Sequence, residues 1–176
     1  RLIESKNPLI KWKSGSDTET LTELVSTFGL QIALNQVDGM FAFACYDRKQ
    51  SKLFLARDRV GEKPLYYGCS GGAFLFGSEL KSLSVHPHWR GDIDRNALTI
   101  YMRHNYVPTP WSIYQGISKL PPAHFVVVRE TGKEVSEPKC YWNLGKIAAR
   151  GSTNTKGSPE ELIDELDELL RDAVGK

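Results

Sequence analysis

Hydrophobic and polar positions divide the 176-residue chain into an irregular start, a helical stretch, a run of strands, a mixed segment and a final helix. Leu2-Ile3 and Leu9-Ile10 are apolar pairs without a clear period. Ser16 followed three residues later by Glu19 has the form of a capping box, and Leu21, Leu24, Val25 and Phe28 follow at helical spacing up to a stop at Gly29. A second short helix is predicted over Leu30 to Asn35. From residue 37 the period changes. Met40 to Tyr46 reads as a buried strand, Asp47 to Lys52 as a polar turn and Leu53 to Ala56 as the return strand. Val60 to Pro64 makes a turn, Leu65 to Tyr67 a third strand, and Ala73 to Phe76 a fourth after the Ser70-Gly71-Gly72 hairpin. The four together predict an antiparallel meander.

Gly77-Ser78-Glu79 opens a short helix through Leu83, with Glu79 and Lys81 assigned to capping and to a solvated face. Asp94 caps another helix whose apolar face is Leu98, Tyr101 and Met102, ending near Asn105 ahead of Pro108 and Pro110. Residues 111–122 read as an ordered loop. Phe125 to Val128 and Lys133 to Tyr141 read as a hairpin around Thr131-Gly132. The Gly-, Ser-, Thr- and Asn-rich stretch 145–157 reads as a flexible linker. Ser158-Pro159-Glu160-Glu161 is a strong helix start. Leu162, Ile163, Leu166, Leu169, Leu170, Ala173 and Val174 then form one apolar stripe. A lone helix of this length is marginal in water, so the stripe implies a further domain to bury it.

Composition narrows the classes. With 40% hydrophobic and 10% aromatic residues the chain is too apolar to be disordered, and no apolar run reaches the roughly 20 residues of a membrane span. Residues 158–176 hold seven acids and two bases, a net of −5 against +2 for the whole chain, so the rest carries +7. That excess is scattered, without the basic stripe of a nucleic-acid groove. Cys45, Cys69 and Cys140 are an odd set without CxxC spacing, which fits reduced thiols in a cytoplasm, with Cys45 a small core residue. The start shows no signal or transit segment.

No strong catalytic constellation stands out: the sequence has no metal-ligand spacing, no GxSxG and no GxxxxGK phosphate loop. His86 and His88 lack a third ligand and read as a solvated loop. His104 and His124 read as structural. Asp17 has two readings, a helix-start acid favoured by the helix dipole or a carboxylate that receives a substrate ammonium. Arg57-Asp58-Arg59 reads as an ion-paired strand end or as a substrate clamp.

Several strings carry a resemblance. Ser16-Asp17-Thr18-Glu19, Val37 to Phe43, and Ala56 to Arg59 with Gly61, Lys63, Pro64, Leu65, Tyr66 and Tyr67 resemble the class II glutamine amidotransferase domain. Phe76 to Lys81, Tyr106 to Pro110, Ile113-Tyr114 and Gly116 to Pro122 resemble glutamine-hydrolysing asparagine synthetases. The resemblance implies an α+β fold of the N-terminal-nucleophile type, with stacked antiparallel sheets between helical layers (αββα). It implies residues 1–144 as part of the amidotransferase domain, 145–157 as linker and 158–176 as the start of an ATP-binding synthetase domain. An N-terminal Cys thiol attacks the glutamine amide in that family, with its own amine handling the proton and an Asn-Gly pair as oxyanion hole. Ammonia then meets aspartate activated with ATP and Mg²⁺.

Asp17 matches the carboxylate that holds the α-ammonium of glutamine. No catalytic, cofactor-binding or metal-binding residue carries over. The nucleophile, the Arg that pairs with the glutamine carboxylate and the Asn-Gly pair match nothing here, and Ala123 stands where the family often has Gly. The chain therefore reads as the middle section of a longer enzyme, truncated at both ends, inactive and poorly folded alone. Its partners would be glutamine, the N-terminal half-domain and the synthetase domain, in a parent for which a homodimer is one open assembly. ATP and Mg²⁺ would belong to that parent. Three alternatives stay open: an amidotransferase acting on another carboxylate such as a sugar acid, a non-enzymatic interaction module with this fold, and an unrelated α+β binding domain.

Overall fold

A computed structural model describes residues 2–129, 132–154 and 157–175. Two compact units divide the chain, one ending at Trp142 and one starting at Asn143. The first opens with α1 (Leu2–Lys6), a short helix where the pairs Leu2-Ile3 and Leu9-Ile10 showed no period. Ile3 is buried with Leu24 and Ala33, a tertiary contact that local pattern could not show. α2 (Asp17–Phe28) and α3 (Leu30–Gln36) follow, separated by Gly29, whose amide closes α2 on the Val25 carbonyl. The N-terminus of α2 departs from the capping box. Ser16 Oγ accepts from the Thr18 amide, while Glu19 reaches past Ser16 to the amides of Lys13 and Ser14 at 2.9 and 2.7 Å. The Lys13 amide first, then the Ser14 hydroxyl, which also donates to Glu19 at 2.7 Å, hold the Glu19 carboxyl below the usual carboxylate range against the cost of desolvation.

The strands form two antiparallel sheets rather than one meander. β1 (Ala42–Asp47), β2 (Lys52–Arg57), β6 (His124–Arg129) and β7 (Glu134–Val135) lie in that order, and β8 (Lys139–Cys140) also pairs with β6. The second sheet runs β4 (Ala73–Gly77), β3 (Tyr66–Ser70), β5 (Ile117–Lys119). β2 and β3, adjacent in sequence, belong to different sheets, so the Val60–Pro64 segment is a sheet-to-sheet connection and not a hairpin. β5 lies within the stretch expected as loop. It forms because Tyr66 and Gly68 pair with Lys119 and Ile117. The final hairpin becomes two short strands on one partner, and Thr131 lies outside the described residues. One face of β1 is open to solvent, so its apolar run is half covered: Ala44 and Tyr46 are exposed while Phe43 and Cys45 are half-buried.

Successive residues of β2 and β6 feed different cores, as a two-residue side-chain period requires. Leu55 and Val126 join Leu65, Tyr67 and Leu120 in one buried cluster. Ala56 and Phe125 join Leu30 and Leu34 of α3 in another. In the second sheet, Leu75 and Ile117 pack with Leu83 of α4 (Leu80–Leu83). Glu79 stands at the N-cap of α4 but makes no side-chain capping bond, so that expectation fails.

Asp94 caps α5 (Arg95–His104), accepting from the Asn96 and Ala97 amides. The apolar face of Leu98, Tyr101 and Met102 is exposed, Met102 at 74%, and Ala97 is the buried residue of the helix. Leu98 and Tyr101 instead line a hollow of about 530 Å³ with Tyr66, Tyr106 and Trp111. Ala123 has a left-handed backbone, φ 58°, which accounts for glycine at that place in the resembling family.

In the second unit, the stretch expected as irregular linker is helical over Leu144–Asn154, α6. Asn143 Oδ1 accepts from the Lys146 amide at 2.9 Å, an N-cap that offsets part of the cost of Gly145 and Gly151 in the helix. α7 (Pro159–Gly175) carries the reciprocal capping box expected of it: Ser158 Oγ accepts from the Glu161 amide and Glu161 accepts from the Ser158 amide. α7 has no buried residue, and Ile163, Leu166, Leu169, Leu170 and Val174 of its stripe are exposed. Among the described residues no helix is long and apolar enough to cross a membrane.

Candidate functional site

A cleft of about 850 Å³ opens between the N-terminus of α2, the start of β1, the loop before β3 and the end of β4. Its lining draws on four stretches that are far apart in sequence, including Asp17-Thr18, Val37-Asp38 with Met40 to Phe43, Lys63-Pro64 and Ser78-Glu79. Its floor is apolar, from Leu21, Phe41 and Phe43, and its polar groups include Asp17, Asp38, Lys63 and Glu79.

The structure shows the helix-start role of Asp17 directly. Asp17 is the first residue of α2 and its Oδ1 accepts from the Thr18 amide at 2.7 Å. The Ser16 and Thr18 hydroxyls reach the same oxygen at 3.4 Å. Among the described residues Oδ2 accepts no hydrogen bond, and Asp17 is exposed on the cleft, so one oxygen serves the helix and the other is open to the cleft.

Arg57-Asp58-Arg59 is neither a simple ion-paired end nor a substrate clamp. Arg57 and Asp58 are buried, at 7% and 0% exposure, and their side chains are spent on backbone. Arg57 donates from Nε to the Lys63 carbonyl, from Nη1 to the Leu120 carbonyl and from Nη2 to the Gly61 carbonyl. Asp58 accepts from the Gly61, Glu62 and Lys63 amides at 2.6, 2.9 and 3.0 Å. Burial pushes the Asp58 carboxyl up, but the donations from Lys63, Glu62 and Gly61 outweigh it and leave the group below its ordinary value. Only Arg59 forms an ion pair, with Asp38 at 3.0 Å.

Tyr141 donates its hydroxyl to the Arg57 carbonyl at 2.8 Å in a buried position. Burial, with a smaller contribution from the Asp58 charge, pushes its pKa up to about 12. The unfolded chain ionises this phenol near 10, so the native state holds the proton longer. Tyr141 therefore contributes stability that is complete below about pH 10 and lost as pH rises through about 12. Tyr141→Phe is expected to cost about 1 kcal/mol at neutral pH, from one lost buried hydrogen bond. It is also expected to flatten the stability loss above pH 10, measured by urea denaturation at stepped pH.

The cysteines do not meet at the cleft. Cys45 is half-buried on β1, Cys69 and Cys140 are exposed, and none lines it. Burial, then the Asp47 charge, raises the Cys45 thiol pKa, the opposite of nucleophile activation. Among the described residues no three His, Cys, Asp or Glu side chains converge on a metal position. His86 and His88 face each other at 5.6 Å between ring centres. The Tyr106–Pro110 and Ile113-Tyr114 strings lie elsewhere: Tyr106 and Ile113 line the hollow beside α5. Sequence reasoning missed Phe41, Lys63 and Glu79 as cleft residues. Each lay inside a quoted string, but only folding shows which members face the opening.

Residues 4–142 match the family described as glutamine amidotransferase domain. The chain belongs to that family. This amidotransferase domain is 33% identical over 160 residues to asparagine synthetase [glutamine-hydrolyzing] 3 of Bacillus subtilis, which covers 90% of the chain and 24% of the relative. It is 30% identical over 167 residues to putative asparagine synthetase [glutamine-hydrolyzing] 2 of Methanocaldococcus jannaschii, covering 94% and 31%. It is 32% identical over 169 residues to asparagine synthetase [glutamine-hydrolyzing] 2 of Bacillus subtilis, covering 93% and 22%. The chain thus spans about a quarter to a third of the length of these relatives.

Proposed function

We propose that the cleft at Asp17 is the glutamine-facing part of a glutamine-hydrolysing asparagine synthetase, with Asp17 receiving the α-ammonium of glutamine. The observation that carries this reading is the free Oδ2 of Asp17 on a cleft whose walls are the four family strings. A carboxylate beside a primary ammonium makes a charge-assisted hydrogen bond, stronger than a neutral one. The nucleophile comes from elsewhere in the parent. No cysteine of this chain lines the cleft, and burial shifts the Cys45 thiol toward the unreactive form. By itself the chain, through its own four buried clusters, folds and binds glutamine but does not hydrolyse it, in contrast to the poor folding expected from the sequence.

The fold reading extends the same way. The cluster of Leu55, Val126 and Tyr67 draws on both sheets, α3 packs on one side through Ala56 and Phe125, and α4 packs on Leu75 and Ile117. That order supports the αββα arrangement of N-terminal-nucleophile enzymes. The exposed stripe of α7 supports residues from 158 onward as the start of a synthetase domain. ATP and Mg²⁺ would act in that domain of the parent. The residues of this chain do not fit them, having no metal-converging group among those described and no glycine-rich phosphate loop.

The test is calorimetric titration of the 176-residue chain with L-glutamine, alongside Asp17→Asn. The variant is expected to weaken binding about tenfold, the scale of one charge-assisted bond. Equal affinity in the two proteins overturns the assignment of Asp17. Ammonia released from glutamine above a no-protein control overturns the inactivity of the isolated chain.

A further inference from the structure

We propose that Arg57 and Asp58 are positioning residues for the cleft: buried and never touching ligand, they set the wall opposite Asp17. The pair sits at the end of β2 where the chain leaves one sheet for the other. Its backbone and side chains hold three of the surrounding segments. The Asp58 amide donates to the Phe41 carbonyl at 2.8 Å, which fixes the start of β1. The Asp58 carboxylate takes the amides of residues 61, 62 and 63, and the Arg57 fork takes the carbonyls of 61 and 63. Lys63 is thereby held on both sides of its Cα, by Asp58 through its amide and by Arg57 through its carbonyl, with Pro64 next. The third segment is 120–123, held by Arg57 Nη1 on the Leu120 carbonyl and by the Ala123 amide on the Asp58 carbonyl.

Phe41, Lys63 and Pro64 all line the cleft. The direct backbone partners of this pair therefore include two residues of the wall, and the third is bonded to one of them. The side chains of Arg57 and Asp58 do not line the cleft themselves. A purely structural role would stabilise the fold and leave the cleft's affinity to other groups. A positioning role makes affinity fall faster than the folded population. The inference rests on the glutamine reading for the ligand, and on the hydrogen bonds alone for the wall.

The experiment uses the 176-residue chain, Asp58→Asn, Arg57→Lys, and Glu134→Gln as a remote control on the exposed Arg129 pair. Asp58→Asn keeps the shape but puts an amide donor where three backbone donors converge. Arg57→Lys keeps the charge and loses the fork. Amide exchange by NMR is read without ligand, then the affinity for L-glutamine at a temperature where each protein is folded. In Asp58→Asn the amides of Asp58, Glu62 and Lys63 are expected to exchange at least about tenfold faster while those of Tyr67 and Leu75 keep their rates. Glutamine binding is expected to weaken about tenfold, as displacement of a binding wall by a fraction of an ångström can cause. Arg57→Lys is expected to show an intermediate loss, and it carries the test if Asp58→Asn does not fold. Unchanged exchange at residues 58–63, or faster exchange with unchanged glutamine affinity, overturns the inference. If the unmodified chain does not bind glutamine, the functional reading fails. The exchange rates, with the resonance positions of Phe41 and Lys63, then decide whether the pair holds the wall.

Discussion

Asp58→Ala is expected to lose roughly 3–5 kcal/mol of stability, because three backbone amides lose their acceptor and the neighbouring Arg57 loses a nearby charge. The carboxylate is fully buried and is the acceptor for three backbone amides. Alanine leaves those three donors without their partner and removes the negative charge beside the buried Arg57 guanidinium. Each effect alone is worth about 1–3 kcal/mol. Domains of this size are stable by only about 5–15 kcal/mol, so the urea midpoint should fall by a large fraction. Asp38→Ala is the contrast: its ion pair with Arg59 leaves the Asp38 side chain 78% exposed, and such pairs are worth about 0–1 kcal/mol. A midpoint equal in the two variants would mean that the Gly61–Lys63 amides find water when the carboxylate is gone.

The same residue gives a pH signature. The folded carboxyl lies below its unfolded value because the backbone donations outweigh desolvation. Its contribution is therefore complete above the unfolded value of about 4 and is lost as pH falls through the lower folded one. Unfolding free energy measured from pH 5 down to pH 2 should fall more steeply in the unmodified chain than in Asp58→Asn. The exposed Glu19, shifted the same way by its bonds to Lys13 and Ser14, adds a residual slope common to both proteins.

What the sequence made legible was local. Asp94, Ser158 and Gly29 marked helix ends because a cap acts on amides or carbonyls within a few residues of itself. Asn143 was missed for a related reason: its capping oxygen acts on Lys146, but the Gly- and Ser-rich composition after it pointed to a linker. Sheet membership could not be read, because nothing in the period of Leu53–Ala56 or Leu65–Tyr67 says that the two strands part company. At the parting sits the Arg57–Asp58 pair, one of whose bonds reaches Leu120, 63 residues away. Of the proposed site, the sequence singled out Asp17 alone among the cleft residues. The opposing wall depends on which members of the quoted strings face the cleft, and β1, with one face open to solvent, turned an apparently buried run into alternating covered and open positions.

Gly68→Ala should be the most damaging single-methyl change in the second sheet, costing roughly 3 kcal/mol or more, in the range that only a few mechanisms reach. Gly68 is central in β3, paired with Leu75 on one side and Ile117 on the other. Its φ is +152°, and a Cβ there would overlap the Gly116 carbonyl oxygen and stand 2.9 Å from the Gly116 carbonyl carbon. That carbonyl accepts from the Cys69 amide at 2.9 Å, so the obstacle is a hydrogen-bonded piece of main chain rather than a side chain free to swing away. Relief requires moving β5 off β3. This would draw Ile117 away from Leu75 and Leu83, the small core that holds α4. Gly72→Ala separates this clash from the cost of the backbone angle. It has φ +83° and nothing within 4 Å of an added Cβ, so it should cost only about 1 kcal/mol. Thermal unfolding of both variants, with the Ile117 methyl resonances as a local probe, checks the difference. A Gly68→Ala protein as stable as Gly72→Ala would show that β5 separates from β3 at little cost, so that the Gly68–Ile117 pairing contributes little to the second sheet.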